Sequence, residues 1–188
     1  MKIIETALEG VYIIEPRIFK DARGYFYESW NQKAFEEAGL DYTWVQDNQS
    51  KSAYGTVRGI HYQKGDDAQA KLVRAIQGRV LDVAVDLRKG SPTYGQHVAV
   101  ELSEDNHRQL LIPRGFGHGF SVLSETAVFA YKCDNGYAPK SEGSVNFADK
   151  ELSIDWQIDM DKALLSDKDT RAQDFGQYSQ APDFTYSK

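Results

Sequence analysis

One cysteine, Cys133, is all the thiol that this 188-residue chain carries. A single cysteine rules out an internal disulfide and a cysteine-based zinc site, and it fits a reducing compartment. Free cysteine is commonly a small buried hydrophobe, and Cys133 is read that way rather than as a nucleophile. Long apolar runs are missing too. No stretch approaches the roughly 20 apolar residues that a membrane helix needs. The opening MKIIETALEG lacks the apolar core of a signal peptide. A cytoplasmic protein with no membrane partner is therefore expected. Positive charge is in deficit, with 22 Lys and Arg against 28 Asp and Glu, a net charge of −6. A field of that sign repels nucleic acid and anionic surfaces, so no nucleic-acid partner is expected. An anionic ligand would have to be gripped by a local cluster of Arg and Lys.

Internal repeats and low-complexity linkers are also absent. A chain of this length reads as one domain and buries roughly 70% of the surface that its unfolded form exposes. Helix signals are few. The best segment is Asn31–Ala38, with Asn31 as a cap and Gly39 suited to the left-handed turn at its end. Most of the rest alternates with a period of two. Leu81, Val83, Val85 and Leu87 share one face of a strand, and Asp82, Ala84 and Asp86 share the other. Residues 96–102, 109–112, 119–123 and 127–132 also read as extended, with Gly, Asn, Asp, Ser and Pro between them. Many short strands at near-regular spacing predict an all-β sandwich or barrel. Leu164–Asp169 reads as a turn or short helix docked on it, and the chain from about Tyr178 as a mobile or surface tail.

Of the four histidines, His107 reads as a solvated turn residue and His97 as a strand residue without a partner. His61 is more unusual. In Val57-Arg-Gly-Ile-His-Tyr-Gln63, strict alternation would put Arg58 and His61 on opposite faces. A bulge at Gly59 would bring them together. His118 lies in Ile112-Pro-Arg-Gly-Phe-Gly-His-Gly-Phe120, whose Pro-x-Gly-x-x-His spacing is a signal of the cupin barrel. Metal-binding cupins add a His-x-His and a Glu, and here the matching stretch reads His61-Tyr62-Gln63. Stable metal sites take three or four protein ligands, so two histidines favour a metal-free barrel. Lys71 shares a face with Val73 and Ala75, pointing into the barrel. There it would be either a strand-edge lysine reaching water or a fixed charge beside a developing oxyanion. Tyr131 shares a face with Phe129 and Cys133, and a lone tyrosine of that kind is usually core.

Taken together these stretches resemble the dTDP-4-dehydrorhamnose 3,5-epimerase family, metal-free cupin enzymes of dTDP-L-rhamnose synthesis. The likeness runs to about Asp169. It includes Asp21-Ala-Arg-Gly-Tyr-Phe-Tyr-Glu-Ser29, Val45-Gln-Asp-Asn-Gln-Ser-Lys51, Ala70-Lys-Leu-Val-Arg74, Asp82-Val-Ala-Val-Asp-Leu-Arg88, Ser91-Pro-Thr-Tyr-Gly95 and both histidine motifs. The resemblance implies a cupin-type jelly-roll barrel with a few short helices over residues 1–178, followed by a tail at 179–188. It implies a homodimer whose N-terminal strands extend the partner's sheet, and no cofactor or metal. It assigns His61 as base, Asp169 as its orienting carboxylate, Tyr131 as acid and Lys71 as the enolate's partner. Nucleotide and sugar contacts fall on Arg23, Phe26, Glu28, Gln46, Asn48, Arg58, His118, Glu142 and Lys168, with Tyr137 stacking on the thymine. The segment Lys64-Gly-Asp-Asp-Ala68 departs from the family in lacking its prolines. The implied substrate is a dTDP-4-keto-6-deoxy sugar inverted at C3 and C5. Three other readings stay open: an enzyme acting at one centre only or shifting the ketone, a metal-dependent cupin using both histidines, and a barrel that only binds the sugar nucleotide.

Overall fold

The computed structural model describes residues 1–187. The chain runs β1 (Lys2–Glu5), β2 (Tyr12–Glu15), β3 (Phe19–Asp21), β4 (Gly24–Phe26), α1 (Gln32–Glu36), β5 (Gln46–Ala53), β6 (Val57–Gln63), β7 (Lys71–Gln77) and β8 (Arg79–Asp86). It continues through β9 (Arg88–Lys89), β10 (His97–Ser103), β11 (Gln109–Ile112), β12 (Phe116–Val122), β13 (Thr126–Cys133) and β14 (Glu142–Ser144), then α2 (Phe175–Gln180) and β15 (Phe184–Thr185). Two antiparallel sheets form the barrel, in the orders β1-β2-β11-β7-β13-β5 and β10-β8-β12-β6-β14. The expected all-β cupin barrel is what the chain forms.

Alternation decides what each face meets. Val73 and Ala75 of β7, Val80 and Ala84 of β8, Leu110 of β11, Phe120 of β12 and Phe129 of β13 pack together between the sheets. Leu81, Val83, Val85 and Leu87 point the other way and are sealed by Trp156, Phe175 and Tyr178. Both faces of β8 are therefore buried, and its aspartates belong to the barrel interior rather than to solvent. Burying a Leu, Val or Phe side chain is worth about 1.5–3 kcal/mol, so this double cover is a large part of the fold's stability. Outside the first sheet, Phe35 of α1 packs on Leu72 and Leu111. Asn31 caps α1 by accepting from Ala34 N–H at 3.1 Å, and Gly39 takes φ +77° at its end.

Two expectations are corrected. His107 is 7% exposed, not solvated, and its ring lies 4.6 Å from that of Tyr25 and 5.2 Å from that of Tyr27. Neither tyrosine is near it in sequence, so the local turn signal could not report the contact. Residues 178–187 lie largely at the surface, as expected from 179 on, but they are docked rather than loose. Tyr178 is buried within α2, its hydroxyl donating to Leu87 C=O at 2.8 Å, and β15 pairs in parallel with β9. Among the described residues no helix is long and apolar enough to cross a membrane.

Candidate active site

In the middle of β6 the β10-β8-β12-β6-β14 sheet departs from regular pairing. His61 is opposite His118 of β12, but Arg58 is opposite Phe120, so β6 carries one residue more than β12 over this span. That is the bulge predicted at Gly59, and it turns Arg58 and His61 into the same cavity. Gly59 has φ +142°, and a Cβ there would lie 2.4 Å from Gly119 Cα. The two strands thus approach through paired glycines, which no larger residue permits.

The cavity measures about 270 Å³ and is lined by Asn48, Arg58, His61, Lys71, His118 and Tyr131, with Phe120 at its base. Five strands, β5, β6, β7, β12 and β13, bring these groups together. Lys71 opens β7, pairing with Cys133 and Ile112, and its side chain lines the cavity. Tyr131 is two residues before Cys133 on the same inner face of β13, level with Asn48 of β5. The Lys71 ammonium sits 5.7 Å from the Tyr131 ring centroid. Arg58 Nε donates to Ser52 Oγ at 3.2 Å, which holds the guanidinium along the wall.

His61 Nε2 is 2.6 Å from Asp169 Oδ1. Asp169 comes from a one-turn helix, Asp169–Arg171, far along the chain, and is 3% exposed. Burial alone would raise its pKa. The bond to His61, the hydroxyl of Ser166 at 2.6 Å and the Gly59 N–H at 3.3 Å overcome that and hold the carboxyl down to about 2. Such a carboxylate only accepts, so Nε2 of His61 carries the proton and Nδ1 is left with a free lone pair. That lone pair is the one feature of the ring that could accept a proton.

The neighbouring groups are tuned differently. Burial pulls His118 below the ordinary imidazole range, against the opposing pull of Asp82, whose Oδ2 is 2.9 Å from His118 Nε2. Burial lowers the pKa of Lys71 and raises that of Tyr131, so the phenol keeps its proton. Burial also pushes the Cys133 thiol up to about 11, as befits a buried, unreactive thiol. A hollow lined by two histidines, each backed by an aspartate, raises the question of metal. Among the described residues no group of three or more His, Cys, Asp or Glu is gathered tightly enough to hold one.

Not every expected residue reaches the cavity. Arg23, Phe26 and Glu28 lie on or beside the β3–β4 hairpin and border other hollows. Arg23 is spread over solvent and paired with Asp21, and Phe26 is 66% exposed. Glu142 and Lys168 form an ion pair with each other, Tyr137 is exposed, and Gln46 accepts the Tyr137 N–H at 2.9 Å. Two participants escaped the sequence reading. Ser166 clamps Asp169, and Asp82 carries His118. The only signal for Asp82 was an acidic residue flanked by apolar ones in the middle of β8.

The sequence model of the dTDP-4-dehydrorhamnose 3,5-epimerase family matches residues 5–177. The dTDP-4-dehydrorhamnose 3,5-epimerase of Pseudomonas aeruginosa is 53% identical over 176 residues, which cover 93% of this chain and 96% of that one. The crystal structure of the enzyme of that name from Elizabethkingia anophelis is 58% identical with a TM-score of 0.90, covering 94% and 97% of the two chains. The dTDP-6-deoxy-D-glucose-3,5-epimerase of Legionella pneumophila, crystallised with dTDP-4-keto-L-rhamnose, is 47% identical with a TM-score of 0.95 over 100% and 99%.

Proposed function

Because the chain belongs to the dTDP-4-dehydrorhamnose 3,5-epimerase family, we propose that its barrel inverts C3 and C5 of a dTDP-4-keto-6-deoxy sugar with His61 as base and Tyr131 as acid. The C4 ketone makes the protons on C3 and C5 acidic. His61 Nδ1 takes the proton from carbon, and the C–H electron pair moves into an enolate on O4. Asp169 stabilises the imidazolium as it forms. The Lys71 ammonium faces the growing charge in a poorly solvated pocket, where it acts most strongly on the transition state. Tyr131 then delivers its hydroxyl proton to the carbon from the opposite face, and the enolate electrons return to form the new C–H bond. Solvent restores the phenol and removes the proton from His61. A base that returned its proton to the same face would change nothing, so inversion needs both groups.

What supports this reading above all is the His61–Asp169 bond in one cavity with Lys71 and Tyr131. A barrel that merely bound the nucleotide would gain nothing from a polarised imidazole. Arg58, with its planar fork, is suited to the diphosphate, and this supplies the local positive charge that an acidic chain otherwise lacks. Gln46, Asn48, His118, Tyr137, Glu142 and Lys168 complete the sugar and nucleotide contacts at the mouth. Arg23, Phe26 and Glu28 sit on a projecting hairpin outside the cavity, and in a homodimer they reach the partner's cavity instead.

The test is turnover of the keto sugar in heavy water with label read at C3 and C5 separately. Inversion with deuterium at both positions is expected. Tyr131→Phe is expected to keep deuterium exchange while inversion falls about 100-fold. A Tyr131→Phe enzyme that inverts at the parent rate would remove the phenol from the mechanism. Label at one carbon only would reduce the reaction to a single centre.

A further inference from the structure

We propose that Asp82 is a positioning residue that supplies the counter-charge for Lys71 inside the barrel, through the carboxylate oxygen that His118 leaves free. The proposal rests on the reading of Lys71 as the enolate's partner, and it starts from an unpaired atom. Asp82 is 0% exposed, on the inner face of β8 between Val80 and Ala84. Its Oδ2 is taken by His118, whereas its Oδ1 is buried and has no hydrogen-bond partner among the described residues. A buried carboxylate oxygen with no donor is costly, and it persists where a nearby cation repays the cost. The other unpartnered buried side-chain atoms among the described residues are the indole nitrogens of Trp30 and Trp44, which lie outside the barrel in the cluster around α1.

The cation with the complementary need is Lys71. Its ammonium makes no ion pair within 4 Å among the described residues, and burial works against its charge. Every charged or titratable group facing it can be accounted for. Cys133 and Tyr131 come from β13, and burial keeps both protonated at neutral pH. Glu142 of β14 is paired with Lys168, and the two act on Lys71 in opposite directions. Asp169 is engaged by His61, Ser166 and the Gly59 N–H. Arg58 and His61 on β6 bring positive charge or none. That leaves Asp82. Burial pulls its partner His118 below the ordinary imidazole range, so no imidazolium stands against the Asp82 carboxylate as a competing cation. The carboxylate thus orients one side chain by a hydrogen bond and keeps a second one charged by its field.

The first measurement is the titration of the Lys71 ammonium, followed by NMR of labelled lysine and assigned with Lys71→Arg. Asp82→Asn removes the charge and leaves a group that can still bond His118. It is expected to lower the Lys71 pKa by about one unit or more. The high-pH limb of kcat should move down by the same amount, while dTDP affinity changes less than about threefold. The second measurement is thermal stability in two backgrounds. Asp82→Asn is expected to lower Tm in the parent and to raise it in Lys71→Met, where the carboxylate has lost its cation. If Asp82→Asn alone does not fold, Lys71→Met/Asp82→Asn is expected to fold. A role confined to holding His118 would give the same loss in both backgrounds. That result, an unmoved Lys71 titration, or an unfolded double variant would each overturn the proposal. Loss of the enolate role itself would appear separately, as Lys71→Met turning over at the parent rate with the stability coupling intact.

Discussion

His61 and His118 face each other across the β6–β12 ladder, each with Nε2 on an aspartate, and the two pairs are built for different work. Around Asp169 every oxygen is satisfied, by an imidazole, a hydroxyl and backbone N–H groups. Its charge is therefore cheap to keep, and its proton is hard to put on. The side chain of His61 is still 30% exposed, so a substrate can reach it and the imidazolium can be tolerated. Around Asp82 one oxygen is bonded and the other is bare, and the His118 side chain is 8% exposed. Burial favours neutral imidazole there. One pair is arranged to accept a proton reversibly, and the other to stay as it is while its charge acts on Lys71. A shared pair of residue types thus says little about role, because solvation of the carboxylate and access to the ring decide it.

The largest expected effect separates the two rings directly. His61→Asn removes the base and should cost more than about 1,000-fold in kcat while the protein still folds and binds dTDP. His118→Asn retains an N–H donor for Asp82 and should cost about tenfold, mostly in KM. Steady-state kinetics on both variants checks this. Equal losses in kcat would break the division of labour.

A smaller loss is expected from Asp169→Asn. The amide can present its N–H to Nε2 of His61 and so favour the tautomer with a proton on Nδ1. The ring would still be in place and would no longer accept. A fall of about 100-fold in kcat, with KM within about threefold, is expected from that change of tautomer. Loss in KM alone would mean that Asp169 serves binding rather than the base.

How much of this was legible in the sequence follows from the range of each interaction. The barrel was legible because alternation is local: β8 declares its two faces within eight residues. The bulge was legible as a condition, since Gly59 between Arg58 and His61 marks where alternation can break. Lys71 and Tyr131 were singled out by the alternation of their strands, whereas their roles, and Asp169 altogether, came only from the family resemblance. Nothing local ties Asp169 to His61, 108 residues away. Asp82 and His107 went unread for the same reason. An aspartate in an alternating strand looks like a solvent-facing residue until the far sheet covers it, and His107 after Ser-Glu-Asp-Asn looks exposed until Tyr25 and Tyr27 close over it. The tail was misjudged because Tyr178 and Phe184 are anchored by β6, β8 and β9, not by their own neighbours.

The smallest expected effect tests the solvation of Asp169 one bond at a time. The carboxyl is held at about 2 in the fold against 3.8 for the free group. A group whose pKa is depressed by folding contributes stability above its unfolded value, and that contribution disappears as pH falls through the folded value. Asp169 thus contributes on the order of 2 kcal/mol at neutral pH, fading between about pH 4 and pH 2. Ser166→Ala deletes the 2.6 Å hydroxyl bond and leaves the His61 bond in place. The folded pKa should rise toward 3.8, so the variant should be about 1 kcal/mol less stable at pH 7. The difference should shrink to no more than about 0.5 kcal/mol at pH 2, where the parent's Asp169 is about half protonated and the variant's carboxyl more so. Asp169 stays ionised at neutral pH in the variant, so kcat there should fall less than about fivefold. Urea unfolding at pH 7, 4 and 2 reads the stability difference. A gap that stays constant with pH would assign the Ser166 contribution to packing and remove it from the electrostatics of the base.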